Sequence, residues 1–225
     1  MALGAILPAY NVAPQVGPLV EEIRRLHPDF RVLVVDDGSG DDTGAAAREA
    51  GAEVAVHPQN RGKGAALATG YAWALAERLD WVYTMDADGQ HLPAEMARFL
   101  AAAQAEGLDV VVGDRMARTE AMPWLRRATN VVTSRVVSRL AGCAIPDSQN
   151  GFRLYRCAVL RNVCVSAQRY DAESEILVRL ARRGARIGSV PVSTVYGTER
   201  SSIRPLVDTG RFFRLVWRLW RRREN

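Results

Sequence analysis

Residues 31–39 read Arg-Val-Leu-Val-Val-Asp-Asp-Gly-Ser. An unbroken apolar run, rich in β-branched residues, stops abruptly at two carboxylates and a glycine. The run is shorter than an ordinary helix and lacks polar alternation. It predicts a strand, Arg31–Asp36, buried on both faces, with a turn at its carboxyl end.

The pattern repeats outward from this segment. Gly4–Pro8, Glu53–His57, Trp81–Met85 and Asp109–Gly113 are further short apolar strands. Pro14–Leu26, Gly64–Leu79 and Pro93–Ala105 carry helical patterns between them, the last opened by proline, which suits a first turn. Apolar strands separated by helices predict an α/β domain whose mostly parallel sheet is flanked by helices on both faces. The second half is less regular. Trp124–Leu140 reads as a helix, Asn150–Tyr155 as a strand crossing back over the sheet, and Tyr170–Arg183 as a helix with Ile176, Leu177 and Leu180 as its apolar stripe. Arg186–Val192 reads as a strand and Tyr196–Ser202 as a polar loop. No glycine-rich linker or repeat divides the halves. One domain is expected over residues 1–210, with residues 211–225 as a separate basic helix.

Composition agrees with a folded chain. The 225 residues are 48% hydrophobic and 24% charged, which excludes wholesale disorder and collagen-like fibre. No apolar run reaches the ~18 residues of a transmembrane helix. Met1–Pro8 lacks a basic flank and reads as a first strand rather than a signal peptide. Cys143, Cys157 and Cys164 match no zinc spacing, and three thiols in a reducing, cytoplasmic setting are expected. The net charge is +5, and the six arginines and one glutamate from Arg211 onward account for that value. A basic tail on a near-neutral body predicts a local anionic surface and no nucleic-acid partner.

In open α/β sheets, function gathers beyond the carboxyl ends of the strands. Four polar segments fall there: Pro8-Ala9-Tyr10-Asn11, Asp36-Asp37-Gly38-Ser39, His57–Gly64 and Asp86-Ala87-Asp88-Gly89-Gln90. Asp86 and Asp88 are one residue apart. Such a pair either holds Mg²⁺ or Mn²⁺ against a diphosphate, with Gln90 or His91 adding a neutral ligand, or forms an Asx turn with Asp88 capping the Pro93 helix. Asp36 and Asp37 either accept from a ribose or base or close a turn at Gly38. The first strand is not followed by GxGxxG, which argues against a nicotinamide-binding domain, and Arg61-Gly62-Lys63-Gly64 lacks the Ser or Thr of a P-loop. Its glycines and cations at a helix start either meet an anion or are ordinary turn chemistry.

These segments resemble the inverting GT-A glycosyltransferases, most of all the dolichyl-phosphate mannose synthases and bacterial polyprenyl-phosphate glycosyltransferases. The resemblance spans residues 4–211 and extends through Val112-Gly113-Asp114-Arg115, Asp147-Ser148-Gln149-Asn150-Gly151-Phe152-Arg153, Glu173-Ser174-Glu175 and Val190-Pro191-Val192. It implies transfer of a hexose from GDP-mannose or UDP-glucose to a polyprenyl phosphate. It further implies that Pro8, Ala9, Tyr10 and Asp37 line a nucleoside pocket, with Lys63 and Asp86 on the nucleotide-sugar. Asp88 and Gln90 would meet the cation, and Arg115 the donor or the incoming phosphate. Arg127, Arg200 and Arg204 would meet the acceptor phosphate.

A phosphate monoester attacks without a general base. A saccharide or soluble hydroxyl acceptor would need one, and Glu173 is the choice over Asp171 and Glu175, each of which also suits a helix-start role. A non-catalytic sugar-nucleotide-binding protein is the third reading. A nucleotidyltransferase lacks support, because its glycine-rich, positively charged loop after strand one is missing. Two positions depart from the pattern: Val12 stands where relatives carry glutamate, and Asp114 where many carry serine. Many bacterial relatives also continue into transmembrane helices. At 100° per residue, Arg211, Arg214, Arg218, Arg221 and Arg222 fall within about 100° of arc, opposite Phe212, Phe213, Leu215, Val216, Trp217, Leu219 and Trp220. Such a helix suits an anionic membrane surface and peripheral attachment at its cytoplasmic face. The alternatives are packing on the enzyme itself, on a small membrane partner or on a second copy.

Overall fold

The computed structural model describes residues 1–116, 124–161 and 171–193. Cys164, Arg200, Arg204, the Tyr196–Ser202 loop and the helix expected at 211–225 lie outside them. Among the described residues, seven strands form one sheet: β1 (Leu3–Ala9), β2 (Arg31–Asp36), β3 (Glu53–Val56), β4 (Trp81–Thr84), β5 (Val110–Asp114), β6 (Arg153–Arg156) and β7 (Ile187–Pro191). Their order is β3-β2-β1-β4-β6-β5-β7. β6 runs antiparallel to both neighbours, and every other pairing is parallel.

The helices are α1 (Ala13–Leu26), α2 (Thr43–Glu49), α3 (Lys63–Ala76), α4 (Met96–Glu106), α5 (Trp124–Ala141), α6 (Cys157–Leu160) and α7 (Asp171–Arg182). A 3₁₀ turn, Pro93–Glu95, precedes α4, so the helix expected from Pro93 begins as a tighter turn. Helices α2 and α6 are additional to the sequence expectations. The helix expected to reach Leu79 stops at Ala76, because Arg78 adopts a left-handed φ of 54°.

Burial on both faces of the sheet follows from the unbroken apolar runs. Ala5, Leu7, Val32 and Val34 point into one core with α1 and α4 residues such as Ile23 and Phe99. Ile6, Leu33 and Val35 point into the other with Leu67 of α3, Val137 of α5 and Leu177 of α7. Ile6 and Leu7 are both fully buried, on opposite faces. Truncating either to alanine would cost roughly 2–5 kcal/mol.

The topology fixes where the chemistry gathers. From β1 the chain winds outward through β2 to β3, then returns to β4 on the other side of β1. The order therefore reverses between β1 and β4, which places a crevice at their carboxyl ends. Strand β6 enters at the same rim, since Arg153 pairs with both Thr84 and Val112. The loop 147–152 is thus delivered to the ends of β4 and β5.

Candidate active site

Two loops on the β1–β2 side are laced together mainly through backbone amides. The Asn11 amide donates to Ser39 Oγ at 3.0 Å, and Asn11 Oδ1 accepts from the Gly40 amide at 2.8 Å. Asn11 tolerates the left-handed φ of 54° that this turn imposes. Helix α1 has no side-chain cap of its own. Its first amides are satisfied from the neighbouring loop, Val12 N on Thr43 Oγ1 at 2.9 Å and Ala13 N on Asp41 Oδ2 at 3.1 Å.

Asp37 is 3% exposed and closes the third loop onto the second. Its Oδ1 accepts from the Arg61 amide at 3.0 Å and pairs with His57 Nδ1 at 2.6 Å, while Oδ2 accepts from the Gly62 amide at 2.6 Å. Gly38, at φ +73°, lies against this loop. A Cβ there would sit 2.5 Å from the Gln59 carbonyl carbon, so the close approach requires glycine. Of the expected nucleoside-pocket residues, Pro8 and Ala9 are the last two residues of β1, and Tyr10 stands 49% exposed at its end. The structure brings all four to one side of the crevice and commits the Asp37 carboxylate to loop closure.

The Asp86–Gln90 loop leaves β4 with Ala87 buried between the half-buried Asp86 and Asp88. Asp88 Oδ1 accepts from the Gln90 amide at 3.0 Å, which forms the Asx turn; the Pro93 turn is entered at Leu92 without a side-chain cap, so Asp88 does not cap it as the alternative reading expected. Asp86 Oδ1 meets Lys63 Nζ at 2.5 Å, and the same ammonium meets Glu173 Oε1 at 3.0 Å. Burial opposes ionisation of Asp86, but Lys63 outweighs it and pulls the carboxyl down to about 2. Lys63 is held above its ordinary value, because Asp86 and Glu173 together outweigh the burial that would lower it. Gly151 backs this pair: a Cβ there would lie 2.6 Å from Asp86 Oδ1.

Arg115 and its surroundings complete the β5 side. The Arg115 guanidinium is turned onto Asp147 rather than outward, with Nε to Oδ2 at 2.7 Å and Nη2 to Oδ1 at 3.0 Å. Asn130 of α5 also donates to Asp147 Oδ1 at 3.1 Å. Arg153 is fully buried and donates to the carbonyls of Asn150 at 2.7 Å, Glu173 at 2.7 Å and Ser148 at 2.9 Å and to the Tyr155 hydroxyl at 3.2 Å. His91 is 4% exposed, and its Nδ1 has no hydrogen-bond partner among the described residues. Burial pushes its imidazole down to about 4.

Arg127 lies exposed on α5, while Arg200 and Arg204 fall outside the described residues. Asp147, Asn130, Arg153 and His57 were not singled out as site residues. Arg153 and Asp147 fall within a segment that carries the resemblance and His57 opens one of the polar rim segments, but no local pattern marks their pairings.

The arrangement fits a divalent cation of a particular kind. Among the described residues no cluster of three or more His, Cys, Asp or Glu side chains could hold a metal alone. Asp88 and Gln90 offer oxygen ligands at the crevice, and Mg²⁺ or Mn²⁺ commonly takes one or two carboxylates and completes its shell with phosphate oxygens and water. The site is therefore one that a diphosphate would complete.

Comparison with known proteins agrees with this geometry. The family model described as glycosyl transferase family 2 matches residues 5–164. A polyprenol monophosphomannose synthase of Mycolicibacterium smegmatis is 34% identical over 201 residues, covering 84% of this chain and 75% of that one. A UDP-N-acetylglucosamine–dolichyl-phosphate N-acetylglucosaminyltransferase of Methanococcus voltae is 31% identical, covering 88% and 87%. Among solved structures, glucosyl-3-phosphoglycerate synthase from Mycobacterium tuberculosis with phosphoglyceric acid superposes with a TM-score of 0.74 at 22% identity, over 97% of this chain and 78% of that one. The same synthase with Mn²⁺, UDP-glucose and phosphoglyceric acid gives 0.70 at 23%, with coverage of 97% and 78%. The sheet order, the rim loops and these matches together place the chain in glycosyl transferase family 2, as an enzyme with the GT-A nucleotide-sugar transferase fold.

Proposed function

We propose that this enzyme moves a hexose from a nucleotide-diphospho-sugar to a polyprenyl phosphate, with Mg²⁺ or Mn²⁺ on the diphosphate. The observation that carries the donor assignment is the carboxylate loop Asp86–Gln90 at the β1–β4 crevice, where the sheet order reverses. The solved synthase with Mn²⁺ and UDP-glucose supports the cation and the donor class.

Tyr10 offers an exposed ring for a base, beside the loops that Asp37 closes. Asp88 and Gln90 would hold the cation, which when bound neutralises the charge developing on the leaving diphosphate. Lys63 holds Asp86, the first residue of that loop, ionised. Arg115 braces Asp147 and with it the loop before β6. Attack from the face opposite the diphosphate inverts the anomeric carbon.

Relatives named as acting on polyprenol and dolichyl phosphates support the lipid acceptor. The residues 211–225 support it too, because a stripe of arginines opposite aromatics suits an anionic membrane surface. Arg127, Arg200 and Arg204 are assigned to the acceptor phosphate on the resemblance alone. Peripheral attachment at the cytoplasmic face of a membrane belongs to the same reading.

The solved synthase, which matches across nearly the whole chain and holds phosphoglyceric acid in both structures named above, favours a second reading, transfer to a hydroxyl of a small soluble acceptor. In that case Glu173 is the base. A transfer assay with labelled UDP- and GDP-sugars, Mn²⁺ or Mg²⁺, and either a short polyprenyl phosphate or phosphoglyceric acid separates the two. Label extracted into organic solvent with one donor is the expected result. Label only in a water-soluble product overturns the lipid acceptor, and no product from any donor overturns the whole reading.

A further inference from the structure

Lys63 is the sole lysine of the chain, and its place is an expensive one. It opens α3, where the helix dipole disfavours a cation, and its side chain is only 16% exposed. A buried ammonium is tolerated when paired. Here the pairing spans three elements: Lys63 from α3, Asp86 from the loop after β4, and Glu173 from the first turn of α7.

Glu173 is held from both ends. Its side chain meets Lys63, its main-chain carbonyl accepts from Arg153 at 2.7 Å, and the residue is 5% exposed. A proton taken up by Glu173 would strip the ammonium of a counter-charge 3.0 Å away, in a place nearly closed to water. Burial raises the cost of that loss.

We infer that Glu173 serves as the second counter-ion of Lys63 rather than as a proton acceptor, and that Lys63 is a positioning residue which sets Asp86 beside the cation loop. The inference rests on the glycosyl-transfer reading and narrows its acceptor to a nucleophile that arrives ionised. A phosphate monoester fits. One of its oxygen lone pairs forms the new bond to the anomeric carbon as the bond to the diphosphate breaks. That bond's electron pair leaves with the nucleoside diphosphate, and no proton changes hands.

The test uses Glu173→Gln, Lys63→Met, Lys63→Arg and the Lys63→Met/Glu173→Gln double variant of the full chain. Two readouts are needed: kcat and KM against pH with whichever acceptor supports transfer, and urea unfolding without substrates. Glu173→Gln is expected to lower kcat by less than about 10²-fold and to keep the shape of the pH profile, because a lost general base typically costs about 10²–10⁴-fold. Lys63→Met should act mainly through the KM for donor at limiting cation, with partial rescue by Lys63→Arg. A larger loss in Glu173→Gln, with the pH dependence removed, would overturn the inference.

In unfolding, the double variant is expected to be no less stable than Lys63→Met alone. Strictly additive losses would overturn the pairing. If no donor and acceptor support transfer, the functional reading fails on its own, and unfolding still decides the pairing. Should Lys63→Met not fold, Lys63→Arg with and without Glu173→Gln gives the same comparison.

Discussion

On the β3-β2-β1 side of the rim, carboxylates face mainly backbone amides: Asp36 meets Ser39 N, Asp37 meets Arg61 and Gly62 N beside the His57 ring, and Asp41 meets Ala13 N. On the β4-β6-β5 side, carboxylates face side-chain cations: Asp86 and Glu173 meet Lys63, and Asp147 meets Arg115. An amide partner survives any substitution except proline, whereas a cationic partner is lost with one codon. The first side is therefore tolerant of side-chain change at the donor residues. The second leaves a buried charge exposed to its full desolvation cost whenever a partner is removed.

The sharpest way to break this contrast is Arg115→Met. Asp147 is 0% exposed and would keep only neutral donors, so a loss of about 3–5 kcal/mol in urea unfolding is expected. A loss under about 1 kcal/mol, the size of a surface pair, would show that the second side does not depend on its ion pairs.

Next in size is a pH effect at His91. Its folded imidazole titrates at about 4 against 6.5 in the free side chain, mainly through burial. Between those values the unfolded chain binds the extra proton, so stability falls as pH falls. The contribution is complete above pH 6.5, is lost by about pH 4, and is worth at most about 3 kcal/mol. His91→Phe in the metal-free protein should flatten the slope of stability against pH in that window, read by thermal unfolding. Asp86 acts in a lower window: its contribution is present above pH 3.8 and lost towards about 2. An unchanged slope in His91→Phe would remove His91 from the account.

Gly151→Ala sharpens the comparison at one backbone position. Its Cβ would sit 2.6 Å from Asp86 Oδ1, which Lys63 holds in place, so the carboxylate must move. Activity should fall by about 10–10²-fold, the scale of an ångström-sized misplacement. A melting temperature close to the parent is expected alongside it. Activity equal to the parent would show that the Asp86 position is not critical.

The smallest effect belongs to Arg61→Ala. Its amide, not its guanidinium, meets Asp37, so unfolding should shift by less than about 0.5 kcal/mol. A loss several times larger would mean that the first side also leans on cations.

The same contrast explains what could be read in advance. Strands β1, β2, β4 and β5 are legible as mainly apolar runs and β3 as a short one opened by Glu53 at the sheet edge, and the rim loops follow because polar residues end the runs. The Asx turn at Asp88 is a contact two residues long, within reach of a local pattern. The pairing of Lys63 with Glu173 spans 110 positions and that of Arg115 with Asp147 spans 32, and nothing in local periodicity joins them. Strand β6 was anticipated as a segment crossing back, but its place between β4 and β5 depends on Thr84 and Val112 both meeting Arg153. Helix α2 escaped notice because Thr-Gly-Ala-Ala-Ala-Arg-Glu is short and offers no apolar stripe.

The most direct measurement is donor binding by calorimetry, with UDP- and GDP-sugars titrated into the parent and into Asp88→Ala, each with and without Mn²⁺. Tight binding of one donor to the parent that depends on the cation is expected, with loss of that dependence in Asp88→Ala. Equal, cation-dependent binding by both proteins would contradict it, because the crevice at the end of β4 would then not be where the diphosphate and its cation meet.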